Sequence, residues 1–152
     1  MKVKSVTQSA PLVVRPLGDR LYMLPHNFSV TIRTDEGAFA FKFIAGFVTN
    51  FRSGGVAVDL FIDQVGDEKK ALCYLVHDAM YTPCAALGME HPVSRKKADT
   101  LLREALKHCG MGSFKAALVY NSVRAFGESA YDEDDKLTLE NSRMFTFEWR
   151  DK

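Results

Sequence analysis

The sequence predicts an α+β fold, with an N-terminal antiparallel β portion packed on a bundle of about three helices and a C-terminal strand returning to the sheet. Three observations predict it. Residues 28–33 and 38–47 are runs of β-branched and aromatic residues. Apolar residues recur at helical spacing between 69 and 127. Phe145, Phe147 and Trp149 then alternate near the end of the chain.

In order, short strands are expected at 3–6, 12–15 and 20–24, separated by Pro11, Pro16, Gly18 and Pro25, which turn a chain or blunt an edge. The clearest hairpin joins FSVTIR (28–33) to AFAFKFIAGF (38–47) through TDEG, where Gly37 can supply a positive φ. Residues 49–68 are expected as a loop region, because VTNFRSGG (48–55) breaks the strand pattern. From Lys69 to Thr82 the residues Leu72, Leu75, Val76, Ala79 and Met80 define a helix that Pro83 ends. Ser94 is placed to cap a second helix with the stripe Ala98, Leu101, Leu102, Ala105, Leu106 and Cys109, stopped by Gly110. Ser113 is expected to cap a third helix ending at Gly127. Residues 128–142, with ESAYDEDDK, read as a solvated acidic loop, and 143–149 as the final strand. The chain thus reads as one domain over 1–152: 1–48 mainly β, then loop, 69–127 helical, acidic loop and strand.

A hydrophobic content of 47% is enough for a buried core. Twenty Lys and Arg against nineteen Asp and Glu leave a net charge of +1, so no global field recruits nucleic acid or an anionic membrane, and no nucleic-acid partner is expected. The first residues lack the apolar run of a signal peptide, and no window approaches the roughly eighteen apolar residues of a membrane span. Synthesis as a soluble cytoplasmic protein is expected. Cys73, Cys84 and Cys109 have no C-x-x-C spacing and read as buried thiols; a bridge between Cys73 and Cys109, on neighbouring helices, would need an oxidising compartment.

The unusual stretch is CYLVHDAMY (73–81). At about 100° per residue, Leu72, Leu75, Val76 and Ala79 share one helix face, while Tyr74, His77, Asp78 and Tyr81 lie on the other. A solvated back would normally carry Lys, Glu or Gln, so this face is expected to be covered. His77 has an ordinary pKa near working pH and suits a general base. Asp99, at the edge of the next helix's stripe, could orient the ring if the two helices run antiparallel. Asp78, turned about 100° away, is then available to a hard cation such as Ca²⁺, with TNFRSGG (49–55) as the companion loop. The competing reading makes the cluster a polar tie between helices, with Asp99 in a surface ion pair near Arg95 and Arg103. His26, His91 and His108 are assigned no role.

The set FVTNFRSG, LVHDAMY and SRKKADTLLREAL resembles the small phage and prophage proteins grouped as the domain of unknown function 1353 family, over about residues 46–127. Thr49 and Ser53 fit that family's T-D-x-x-S-x-P loop, whereas Asn50 replaces its aspartate and Gly55 stands where its proline is expected. His77, Asp78, Tyr81, Ser94, Arg95, Ala98 and Asp99 match its helices. The helical pair is also similar to that of prokaryotic and fungal phospholipases A2, although the disulfide set of the secreted enzymes is missing. That resemblance implies that His77 activates water, Asp99 orients it with support from Tyr81, and Asp78 binds Ca²⁺ with the loop. The implied substrate is a lipid or other carboxylic ester, and the implied setting a phage product made in a bacterial host and released at lysis. The alternative is a non-catalytic virion or tail component, or a binder of a host protein, that keeps the cluster as a structural tie.

Overall fold

In the computed structural model, residues 1–50 and 68–152 are described. The strands, in chain order, are β1 (Val3–Gln8), β2 (Arg15–Gly18), β3 (Leu21–Met23), β4 (Phe28–Thr34), β5 (Gly37–Phe43), β6 (Val48–Thr49) and β7 (Phe145–Asp151). Between β6 and β7 run α1 (Glu68–Met80), a 3-10 turn (Ala85–Leu87), α2 (Arg95–His108), α3 (Ser113–Phe126), α4 (Glu128–Tyr131) and α5 (Lys136–Asn141). The fold is α+β. The main sheet is antiparallel in the order β1-β4-β5-β7, so the C-terminal strand does return to it; β2, β3 and β6 form a second, smaller antiparallel sheet.

Period-two patterning aims Phe28, Val30 and Ile32 of β4 into the core. On β5 and β7 the aromatics fall directly opposite one another, Phe39 against Trp149, Phe41 against Phe147 and Phe43 against Phe145. Their ring centroids are 4.8, 5.0 and 6.2 Å apart, cross-strand pairs that fix the register. Gly37, with φ +150°, leaves the space the indole needs: a Cβ there would lie 2.5 Å from Trp149. The α2 residue Lys97 closes the end of this row, its Nζ 5.1 Å from the Trp149 ring centre.

Helix α1 is enclosed on nearly all sides: Leu72 through His77, Ala79 and Met80 are buried. Its second face is therefore covered, as the missing Lys and Glu implied. The start of α1 is tied to β1, with Lys69 Nζ donating to Val6 O at 3.2 Å and Gln8 Oε1 at 2.8 Å, and Gln8 Nε2 donating to Glu68. Helix α2 packs on α1, α3 and β1, and its apolar stripe joins the sheet and α3 residues Ala116, Val119 and Val123 in one core. No described helix is long and apolar enough to cross a membrane.

Several local expectations are corrected. Residues 128–142 are not an open acidic loop: α4 and α5 occupy them, and the Asp135 carboxylate caps α5 by accepting from Thr138 N at 2.8 Å. Ser113 is not a cap but the first residue of α3; Gly112 holds the N-cap position without a side-chain bond. The strand expected at 12–15 lies at Arg15–Gly18, and the one expected over 38–47 stops at Phe43. There the chain turns through Gly46 at φ +111° before β6. The final strand starts two residues later than expected and runs to Asp151, because its pairing with β5 extends to Gly37.

Candidate active site

Helix α1 ends where it must. Tyr81 N donates to His77 O at 3.0 Å and Thr82 N to Ala79 O at 3.0 Å, after which Pro83 offers no donor to continue the helix. Helix α2 begins at Ser94, whose Oγ accepts from Lys97 N at 3.2 Å. His77 and Tyr81 meet Asp99 while Cys73, a turn earlier on α1, meets Cys109 at the far end of α2. The helices therefore run antiparallel, and the last turn of α1 faces the first turns of α2.

Asp99 is fully buried and collects three donors, two from the end of α1 and one from α3. His77 Nε2 lies 2.8 Å from its Oδ1, Tyr81 Oη donates to the same oxygen at 2.6 Å, and Arg124 Nη1 of α3 donates to Oδ2 at 2.9 Å. A carboxylate only accepts, so the His77 proton sits on Nε2 and Nδ1 carries the lone pair. Arg95 approaches Oδ2 only to 3.8 Å and spends its Nη1 on the Val123 and Arg124 carbonyls at the end of α3. A surface ion pair with Arg103 does not form: Asp99 is 0% exposed, and Arg103 pairs with Glu104 instead.

Burial shapes the protonation of the whole cluster. It pushes His77 below its ordinary value, outweighing the Asp99 hydrogen bond that would raise it. Burial also pushes Asp99 up, but the hydrogen bonds from His77, Tyr81 and Arg124 outweigh it and hold the carboxyl below its usual range. Tyr81 is raised by burial and by the Asp99 charge, so it stays a neutral donor. The resting state is a neutral imidazole oriented by an ionised carboxylate. With its folded pKa below the unfolded value of about 6.5, His77 takes up protons in the unfolded chain first. Its contribution to stability is complete above about pH 6.5 and is lost as pH falls toward the folded value. The melting temperature of the wild type is therefore expected to fall between pH 7 and 5, more steeply than that of His77→Gln; parallel curves would contradict a buried, neutral His77.

Asp78 addresses a different neighbourhood. Its Oδ2 accepts a hydrogen bond from Thr49 Oγ1 at the end of β6, and its backbone carbonyl accepts from Thr82 Oγ1 at 2.8 Å. A cleft of about 200 Å³ opens here, lined among others by Thr49, Asn50, Asp78, Tyr81, Glu133 and Asp135. Tyr81 belongs to both places, since it lines the cleft and its hydroxyl donates to Asp99. Asp78, Thr49 and Asn50 offer the hard oxygen donors that Ca²⁺ prefers, but Ca²⁺ takes about six to eight. Among the described residues no three His, Cys, Asp or Glu side chains converge as a metal site.

Of the remaining predicted residues, Tyr74 is buried and its Oη has no partner among the described residues, whereas Ser53 lies outside them. Arg124, Tyr131 and His91 were not foreseen. His91 stacks on Tyr131 at 3.7 Å, and Tyr131 meets Tyr81 edge-on at 5.3 Å. The Tyr131 hydroxyl donates to Val93 O at 2.9 Å, so this aromatic wall pins Tyr81 against His77, 4.2 Å away. Lone aromatics in an acidic stretch gave no periodic signal, and Arg124 was one cation among many on a helix surface.

Gly127 completes the wall. A Cβ at this position would lie 2.5 Å from Val123 O and 2.6 Å from Tyr81 Oη. Gly127→Ala is expected to cost about 1–3 kcal/mol in denaturant unfolding, because a backbone oxygen cannot step aside. An unchanged midpoint would mean that the α3–α4 junction yields.

The sequence profile of a family described as protein of unknown function (DUF1353) matches residues 26–123, more than half of the chain. No curated protein and no solved structure matches.

Proposed function

We propose a hydrolytic function, built on His77, for a chain that belongs to the DUF1353 family. The observation that carries it is the buried His77–Asp99 pair, whose Nε2–carboxylate hydrogen bond puts the lone pair of the neutral imidazole on Nδ1. In this reading Nδ1 takes a proton from water as the water oxygen attacks an ester carbonyl carbon. Asp99 stabilises the imidazolium so formed, and Tyr81 and Arg124 keep Asp99 ionised and in place. The proton then passes to the departing alkoxide as its bond to carbon breaks, leaving an acid and an alcohol. Asp99 and Tyr81 are thus positioning residues, and the chemistry is that of a phospholipase A2-like esterase of phage type. Because His77 is held neutral, the acid limb of kcat/KM is expected below the free-histidine value of about 6.5. An acid limb at or above that value would contradict a base held neutral by burial.

Asp78 would hold Ca²⁺, with Thr49 and Asn50 beside it, and the ion would supply positive charge for a developing oxyanion. One carboxylate among neutral donors makes a weak site. Millimolar Ca²⁺ is expected to raise the melting temperature of the wild type by about 2–4 °C, the shift that roughly 1 kcal/mol gives a chain of this size, and to leave Asp78→Asn unmoved. Equal responses would remove Asp78 as a ligand.

A second reading is favoured by one specific observation. The imidazole is 0% exposed, and the described cleft touches its neighbours Asp78 and Tyr81 rather than His77 itself. In that reading the cluster is a polar tie joining α1, α2 and α3 in a non-catalytic virion, tail or host-binding protein. Ester turnover by wild type and its absence in His77→Gln separate the two.

A further inference from the structure

Cys73 and Cys109 are not joined by a disulfide, and their sulfurs lie 3.7 Å apart across the α1–α2 contact. A disulfide needs a sulfur separation of about 2.05 Å, so a further closure of less than 2 Å is required. The backbone can supply it on one side. Cys109 is the C-cap of α2, outside the regular helix, and is followed by Gly110 at φ +101°, whereas Cys73 is fixed inside α1 with its thiol donating to Lys69 O at 3.3 Å. Exposure is also unequal, because Cys73 is 1% exposed and Cys109 only half-buried. Cys84 is not part of this arrangement: it is fully buried with its thiol donating to Phe145 O.

We propose that Cys73 and Cys109 form an oxidation-dependent disulfide that fastens α1 to the C-terminal end of α2. The oxidant is a low-molecular-weight disulfide such as oxidised glutathione. The Cys109 thiolate attacks one sulfur of the oxidant, forming a mixed disulfide and releasing one thiolate. The Cys73 thiolate then attacks the Cys109 sulfur, closing the protein disulfide and expelling the second thiolate. The two protein thiols lose two protons and two electrons, and one molecule of the oxidant becomes two thiols. The order follows exposure, since the reagent can reach Cys109 but not Cys73.

The bond would close the loop from 73 to 109, which contains the whole α1–α2 connection. Cys73 lies one helical turn before His77, and Asp99 precedes Cys109 on α2. Oxidation therefore stiffens the packing of the two helices that hold the polar pair, whether or not that pair is catalytic. A cross-link over a loop of this length is expected to raise the melting temperature by about 5–10 °C.

The test is incubation of the full folded chain with oxidised glutathione at mildly alkaline pH, followed by alkylation, intact mass and thermal unfolding. The wild type should lose two hydrogens in mass and keep one alkylatable thiol, mapped to Cys84. Its melting temperature should rise, and dithiothreitol should reverse the change. Cys84→Ser should behave like wild type. Cys109→Ser, at the half-buried position, should fold and show no such rise, which guards against Cys73→Ser failing to fold. Three persistent thiols, or a stable glutathione adduct on Cys109 without ring closure, would overturn the proposal.

Discussion

Asp99→Ala is expected to cost about 3–5 kcal/mol of stability, the range seen when one member of a buried charged network is removed. The carboxylate is 0% exposed and is the common acceptor for His77, Tyr81 and Arg124, which come from α1, its C-terminal end and α3. Its loss leaves a buried imidazole and a buried hydroxyl without their acceptor, and Arg124 without its ion pair. For a chain of this length the melting temperature should fall by about 10 °C or more. Asp99→Asn keeps the shape and one acceptor oxygen, so its loss of stability should be smaller. Its amide can present a donor toward Nε2, which would move the imidazole proton to Nδ1, so hydrolysis should fall far more than stability does. If Asp99→Ala melts within a degree or two of wild type, the three-donor cluster does not hold these helices together.

His77→Gln is expected to lower kcat/KM by about 10²–10⁴, the contribution of a positioned general base. Gln keeps an N–H that can reach Asp99 but has no basic nitrogen. The fold should survive with a smaller drop in melting temperature than Asp99→Ala causes, and KM should move little because binding is not the function removed. His77→Ala also leaves a cavity and a buried carboxylate short of a donor, so a loss of fold in that variant alone would speak for packing rather than for catalysis.

The elements that sequence made plain are those with strong local signals. The β4–β5 hairpin carries alternating aromatics around a glycine turn, and α2 has both a polar cap at Ser94 and an unbroken stripe. The polar cluster is readable because His77 and Asp78 stand side by side in residues 71–81, an otherwise apolar and aromatic run with no Lys or Glu. What remained hidden depends on tertiary contact. Arg124 reaches Asp99 only because α3 folds back across α2, and nothing local distinguishes it from a solvent-facing cation. The acidic stretch concealed α4 and α5 because its charges dominate the composition, although Asp135 three residues before Thr138 is a legible cap. The small sheet was obscured by strands too short to show a period, as β6 spans only Val48–Thr49. His91 and Tyr131 join Tyr81 across a turn and two helices, a meeting that spacing does not encode.

The most direct measurement is hydrolysis of mixed phospholipids and short-chain esters by the full chain, with and without Ca²⁺, beside folded His77→Gln. Turnover by the wild type that disappears in the variant is the expected result. Turnover that persists in the variant, or none from folded wild type in any condition, would contradict a hydrolase built on His77 and leave the cluster as a buried tie between helices.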